Sequence, residues 1–401
     1  MNLTRSSPRG TPRTVTSATR RSWLLAQATP WVPFARRSRR SRNWATRVKS
    51  VSAAFSRSWN GSRSSPLTWA CDRRVNTSLE HDGEAPTIAL IGVGTIGIGW
   101  AVVFATSGCR VRVYDYEPAM LDRVIPAVEF RLNNLAEAGL ISESPATVLE
   151  RIVVATSRED VIVGAVHVQE SVTESVEVKR DLFAWLDEAT GRGVTLASST
   201  STIPSSQFTA ELAGRDRCLV VHPANPPYLL RVAEVVPSEY TSDATVAITA
   251  ALLSSVRISP IVVKNEIEGF VFNRLQGALL REAYFLVGEG VVTPRDVDTL
   301  VREGLGRRWS ITGPFATSEL NTRGGTAQHA EVIGAVYARI GSARGTGDPW
   351  IPQTIAYVMD EMNELLPGDN WEANVLRREL AMIKLEGLRH QGDVPSVILE
   401  S

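Results

Sequence analysis

Cysteine, lysine and long apolar runs are what this 401-residue chain has least of. Its three cysteines, Cys71, Cys109 and Cys218, are widely spaced and odd in number, which excludes a disulfide scaffold and a cysteine-based zinc site. No apolar run approaches the ~18 residues that cross a bilayer, so nothing reads as integral to a membrane. Lysine occupies four positions (Lys49, Lys179, Lys264, Lys384) against 39 arginines, a bias that fits a GC-rich bacterial genome. Of the five histidines, His81, His167, His222, His329 and His390, none stands at helical ligand spacing from another or from a flanking Glu. No metal is expected.

Net charge is also missing, with 43 basic and 43 acidic side chains, but the balance hides a split. Residues 1–80 hold fifteen Arg and one Lys against two acids, Asp72 and Glu80, a local +14 that leaves −14 for the remaining 321 residues. An asymmetry of that size marks two kinds of polypeptide. The first segment has fourteen Ser and five of the ten Trp without helical or strand periodicity, and is expected to be a disordered basic extension over 1–84. An organellar transit peptide and a nucleic-acid or membrane tail remain open for it. The acidic body argues against nucleic acid as its own partner. It reads as a soluble protein of a reducing compartment, cytoplasmic and bacterial, long enough for about two domains.

Order begins at Ala85. The run Thr87-Ile88-Ala89-Leu90-Ile91 is apolar throughout, as in a strand buried on both faces of a parallel sheet. It leads into Gly92-Val93-Gly94-Thr95-Ile96-Gly97 and an apolar helix. Gly92 permits the tight turn, Gly94 lets backbone amides approach a pyrophosphate, and Gly97 lets helix and strand pack closely. A diphosphate then sits on the helix N-terminus. A second strand, Arg110–Tyr114, ends in Asp115, eighteen residues after Gly97. A carboxylate there binds the adenosine ribose and repels a 2′-phosphate, which favours NAD over NADP. The plainer alternative is a solvated acid opening a loop.

Helical patterns at about 117–139, 174–189 and 243–253 alternate with strand-like runs at 152–155, 165–169, 194–197, 219–221 and 258–263. The fold class is therefore α/β: a Rossmann-type doubly wound parallel sheet followed by a smaller all-α domain. The pattern breaks at Lys264–Gly269. The expected division is 85–266 for the NAD-binding domain, 267–325 for a helical domain and 326–401 for a helical extension. In the extension, Leu376, Leu380 and Ile383 form one stripe and Gly387 reads as the helix cap.

His222 closes a strand in Val220-Val221-His222-Pro223-Ala224-Asn225-Pro226-Pro227, at the carboxyl edge where open α/β sheets bind ligands. Twelve residues on, Glu234 lies in Val232-Ala233-Glu234-Val235-Val236, where a carboxylate is costly unless paired. If residues 228–231 return the chain, Glu234 reaches the imidazole and the two form a tuned base. A buried ion pair without a catalytic role is the competing reading. The polar run Ser198–Thr202 follows another strand at the same edge; it either caps the next helix or turns a hydroxyl to a ligand.

Taken together, Gly92–Asp115, His167–Ser171, Ser198–Ser201, His222–Pro227 with Glu234, and Gly269-Phe270-Val271-Phe272-Asn273-Arg274-Leu275-Gln276 resemble the L-3-hydroxyacyl-CoA dehydrogenase superfamily. His222–Tyr228 and Glu303-Gly304-Leu305-Gly306-x-Arg308 resemble its lambda-crystallin branch, which includes L-gulonate 3-dehydrogenase. The resemblance covers about 86–325 strongly. It implies that His222 is the general base, Glu234 its partner, and Ser201 and Asn273 the groups holding the reacting oxygen. It further implies oxidation of a 3-hydroxyl by hydride transfer to NAD, and a homodimer formed through the helical domain.

Coenzyme A users of this superfamily carry a lysine-rich stretch after the second strand. Here residues 116–152 have no Lys, three Arg and six acids. A highly phosphorylated carrier meets repulsion there. The expected substrate is accordingly a small free hydroxy acid, L-gulonate-like; an L-3-hydroxyacyl-CoA is the alternative and L-carnitine a further one. Ala224 and Asn273 depart from the Phe and Asp common in carnitine dehydrogenases. Arg308 is a candidate for the substrate carboxylate, from its place after the Gly304–Gly306 turn, with a surface or interdomain arginine as the alternative. A non-catalytic, crystallin-like structural protein is the reading from a different class. The retained His222, Glu234, Ser201, Asn273 and Asp115 argue against it.

Overall fold

The computed structural model describes residues 85–366, except 346 and 348, together with 371–390. The expectations for residues 1–84 and for the last eleven residues lie outside that range. Eight strands form one sheet: β1 (Thr87–Ile91), β2 (Arg110–Tyr114), β3 (Ile152–Val154), β4 (Ala165–Glu170), β5 (Thr195–Ser198), β6 (Cys218–Pro223), β7 (Val232–Pro237) and β8 (Ser259–Val262). Their spatial order is β3-β2-β1-β4-β5-β6-β7-β8. The chain winds outward from β1 in one direction and from β4 in the other, so a cleft opens between the carboxyl ends of β1 and β4.

Four longer helices cover the faces: α1 (Thr95–Thr106), α2 (Pro118–Glu137), α3 (Val176–Ala189) and α4 (Asp243–Ser255). The two-residue period of β1 distributes its apolar residues. Ile88 and Leu90 join the core under α1, α2 and α4, whereas Ala89 and Ile91 join the core under α3. All four are essentially without exposed surface, which is why the strand reads as an unbroken apolar run.

The sheet departs from an all-parallel one at a single place. β6 and β7 pair antiparallel, with His222 directly opposite Glu234, and β8 then runs parallel to β7. The segment Asn225–Leu230, which contains a cis Asn225–Pro226 peptide, makes the return.

After β8 a loop leads to the helical part: α5 (Phe272–Gly288), α6 (Pro294–Leu300), α7 (Pro314–Asn321), α8 (Gly325–Arg344), α9 (Pro352–Leu365) and α10 (Trp371–His390). Thr293 caps α6 through Asp296 N–H, with Pro294 in the first turn. Helix α9 packs on α5 and α6, and α7 on α8.

Two expectations about glycines are corrected. Residues 301–305 are not a glycine turn but one widened π-helical turn that continues into Gly306–Trp309. Gly387 does not end the last helix, which runs on to His390. A Cβ on Gly387 would lie 3.3 Å from Ala138 O, so this glycine lets α10 approach the end of α2. The last helix thereby closes over the sheet: Ile383 belongs to the core under α1 and α2, Leu380 packs against that core, and Arg131 meets Glu379 at 3.3 Å.

Candidate active site

The β1–α1 turn is shaped by contacts that only glycine allows. Gly92 has φ +92°, and a Cβ there would lie 2.5 Å from the Ser171 backbone. A Cβ on Gly97 would lie 1.9 Å from Gly92 O, so helix and turn could not close on each other. Gly94 differs: a Cβ on it would meet nothing within 4 Å. It is the N-cap of α1, with no side-chain cap and no acid in the first turn. The unpaired amides of α1 therefore face open space, as a diphosphate requires. Asp115 closes the other side. Its Oδ2 accepts Val93 N–H and its Oδ1 accepts Glu117 N–H, both at 2.9 Å. Each oxygen keeps a lone pair for a ribose hydroxyl. These residues fit a dinucleotide.

The second half of the site lies across β6 and β7. His222 Nδ1 and Glu234 Oε2 are 2.8 Å apart, and both side chains are buried, with 7% and 5% exposure. A carboxylate can only accept, so Nδ1 carries the proton and Nε2 holds the free lone pair. Nε2 has no protein hydrogen bond among the described residues. The imidazole is flanked by Phe270 and Phe272, at ring-centroid distances of 5.7 and 6.2 Å. Glu234 Oε1 accepts Val271 N–H at 2.7 Å and Phe272 N–H at 3.0 Å, at the amino end of α5. Burial alone raises the Glu234 pKa, but the His222 bond and the two amides outweigh it and hold the carboxyl below its usual range.

Ser201 and Asn273 meet although 72 residues separate them. Asn273 Nδ2 donates to Ser201 O at 2.7 Å, which leaves its second N–H unspent. The Ser201 hydroxyl is exposed and has no protein partner among the described residues. Arg308 is exposed on the 306–309 turn, and no hydrogen bond or ion pair ties it to His222, Ser201 or Asn273. His167 is a satisfied core imidazole: Nδ1 meets Thr195 Oγ1 at 2.6 Å and Nε2 meets Gln169 Oε1 at 3.2 Å. Burial pushes its pKa down to about 4. His329 Nδ1 lies 2.8 Å from Ser318 Oγ.

Reading the sequence missed three residues that hold the serine loop. Glu174 Oε1 accepts Thr200 Oγ1 at 2.6 Å, Ser201 N–H at 3.0 Å and Thr202 N–H at 3.3 Å. Lys179, 1% exposed, bridges Glu170 at 2.9 Å and Glu174 at 3.4 Å. A signal for it existed. Lys179 occupies the same helical face as the buried Leu182, Phe183 and Leu186, where a lysine must have a partner. Among the described residues no group of three His, Cys, Asp or Glu is placed to hold a metal ion, and no helix is long and apolar enough to cross a membrane.

Comparison with known proteins matches residues 87–267 to the family model "3-hydroxyacyl-CoA dehydrogenase, NAD binding domain" and residues 269–360 to its C-terminal domain. Lambda-crystallin of Oryctolagus cuniculus is 35% identical over 310 residues, covering 75% of this chain and 97% of that protein. L-carnitine dehydrogenase of Streptomyces coelicolor is 40% identical over 248 residues, covering 62% of this chain and 77% of that protein. Among solved structures, 5-formyl-3-hydroxy-2-methylpyridine 4-carboxylic acid 5-dehydrogenase, an NAD+-dependent dismutase, superposes with a TM-score of 0.66 at 27% identity. It covers 77% of this chain and 99% of its own.

Proposed function

Because this chain belongs to the 3-hydroxyacyl-CoA dehydrogenase family and is an NAD-dependent oxidoreductase of it, we propose that it oxidises the 3-hydroxyl of a free, L-gulonate-like L-3-hydroxy acid, with His222 as general base. The observation that carries the proposal is the His222 Nδ1–Glu234 Oε2 contact of 2.8 Å with Nε2 left unspent. NAD, when bound over Gly92, Gly94, Gly97 and Asp115, supplies the hydride acceptor. His222 Nε2 takes the hydroxyl proton, and the Glu234 carboxylate stabilises the imidazolium that results. Anchored by two backbone amides and the His222 bond, the Glu234 carboxyl is held below its usual range, which favours the ionised form that this role needs. The free N–H of Asn273 and the hydroxyl of Ser201 donate to the substrate oxygen as it acquires carbonyl character.

The free-acid reading rests on charge. Of the three arginines in residues 116–152, Arg131 is committed to Glu379 and Arg151 to Glu143, so little cation remains for a phosphorylated carrier. The family model's own description favours the second reading, an acyl-CoA substrate. A panel with NAD and NADP separates the two. L-gulonate and L-3-hydroxybutyrate should reduce NAD with higher kcat/KM than L-3-hydroxybutyryl-CoA or L-carnitine; the reverse order would refute the free-acid reading. We also propose a homodimer through the helical part, where Leu275, Leu300, Phe315, Leu320 and Val332 are more than 60% exposed. Its measurement is sedimentation of the purified chain, and a monomer at micromolar concentration would contradict it.

A further inference from the structure

Beneath the glycine turn, a buried hydrogen-bond network has more donors than its acceptor can use. Ser199 Oγ lies 3.1 Å from the Trp100 indole nitrogen, 2.7 Å from the Gln169 amide nitrogen and 2.9 Å from the Ser171 hydroxyl, all three donating. A hydroxyl oxygen offers two lone pairs, so one donor is surplus, and Ser199 brings a proton of its own. Two of the three cannot turn away. Trp100 is wholly buried in α1, and its N–H has no other acceptor among the described residues. Gln169 is buried, held at Oε1 by His167 and at its other amide hydrogen by Val221 O at 3.3 Å.

Ser171 is different: it is only half-buried. It directly follows β4, in the cleft opposite β1. Its backbone abuts Gly92, and its Cβ lies 3.8 Å from the point a Cβ on Gly97 would occupy. The hydroxyl therefore stands beside the first and third glycines, at the open amino end of α1.

We propose that Ser171 is a cofactor-binding residue, whose hydroxyl turns from Ser199 to an oxygen of the bound dinucleotide, on the diphosphate or the adjoining nicotinamide ribose. That move leaves Ser199 with two donors for two lone pairs. Occupancy of the cleft thus relieves a crowded acceptor and breaks no needed bond.

The test is titration of the full-length protein with NADH, followed by fluorescence, for wild type and Ser171→Ala, with thermal unfolding of each protein without ligand. The NADH Kd of Ser171→Ala should rise roughly three- to tenfold, the size of one hydrogen bond, with the unliganded melting temperature unchanged because the lost donor was surplus. Ser199→Ala, which strands Trp100 and Gln169, should instead lower that temperature. Titration with ADP places the acceptor: an equal loss points to the diphosphate, and no loss to the nicotinamide ribose. An unchanged NADH Kd in Ser171→Ala, or a Ser171→Ala whose unliganded melting temperature falls as far as that of Ser199→Ala, overturns the assignment. Failure of wild type to bind NADH overturns it along with the cofactor.

Discussion

Glu234 divides its two oxygens between two tasks, orienting an imidazole and capping a helix. Its neutral isostere cannot do both, because an amide nitrogen must then face either the Nδ1–H of His222 or the two backbone N–H groups. Glu234→Gln should therefore lower kcat by about 10²- to 10⁴-fold and cost about 1–3 kcal/mol of stability. The pH dependence of that cost has a definite sign. The folded-state pKa of Glu234 is depressed, so its contribution is present above the unfolded value of ~4.3 and is lost as pH falls through the lower folded one. The stability gap between wild type and Glu234→Gln should narrow below about pH 4.3, as read by thermal unfolding across pH; a gap that widens there would contradict the assignment. His167 acts in another window. Its pKa of about 4 lies below the ordinary 6.5, so the folded state resists a proton that the unfolded chain accepts. Stability should fall from pH ~6.5 toward 4 by about 2–3 kcal/mol, and His167→Gln should flatten that slope.

At the scale of elements, the β1–α1 turn separates two kinds of glycine. Gly97→Ala forces a Cβ to within 1.9 Å of Gly92 O and should cost several kcal/mol, on the order of 2–4, in stability. Gly94→Ala puts its methyl into open space, so the unliganded fold should be unaffected while NADH affinity falls about tenfold or more. Unfolding curves and NADH titration of the two variants check the contrast; equal stability losses would contradict it. This turn, its following helix and Asp115 were legible in the sequence because each depends on residues close together along the chain. The antiparallel return was half legible. Glu234 in an apolar run announced a partner, but the register that sets it opposite His222 depends on the geometry of residues 225–230. The Glu170–Glu174–Lys179 cluster lies within ten residues of chain, but its hold on the serine loop went unread because residues 200–202 follow β5, and only the folded sheet brings them against Glu174.

At the scale of the whole molecule, a C-terminal helix completes the core of the NAD-binding part. Periodicity revealed that α10 has an apolar stripe, but not which surface it covers, and a glycine in its last turn reads equally as a cap or as a point of close approach. Ile383 is 3% exposed within the core that includes Val111 and Leu132, more than 250 residues earlier. Ile383→Ala should therefore cost about 2–4 kcal/mol and lower the melting temperature of the NAD-binding part itself. An unchanged melting temperature would mean that α10 contributes no packing to it.

The most direct test of the account is the kinetics of His222→Gln on a free L-3-hydroxy acid, paired with its NADH dissociation constant. We predict a loss of about 10²- to 10⁴-fold in kcat/KM with NADH binding unchanged. A variant that keeps wild-type turnover would show that the proton leaves by some route other than the imidazole.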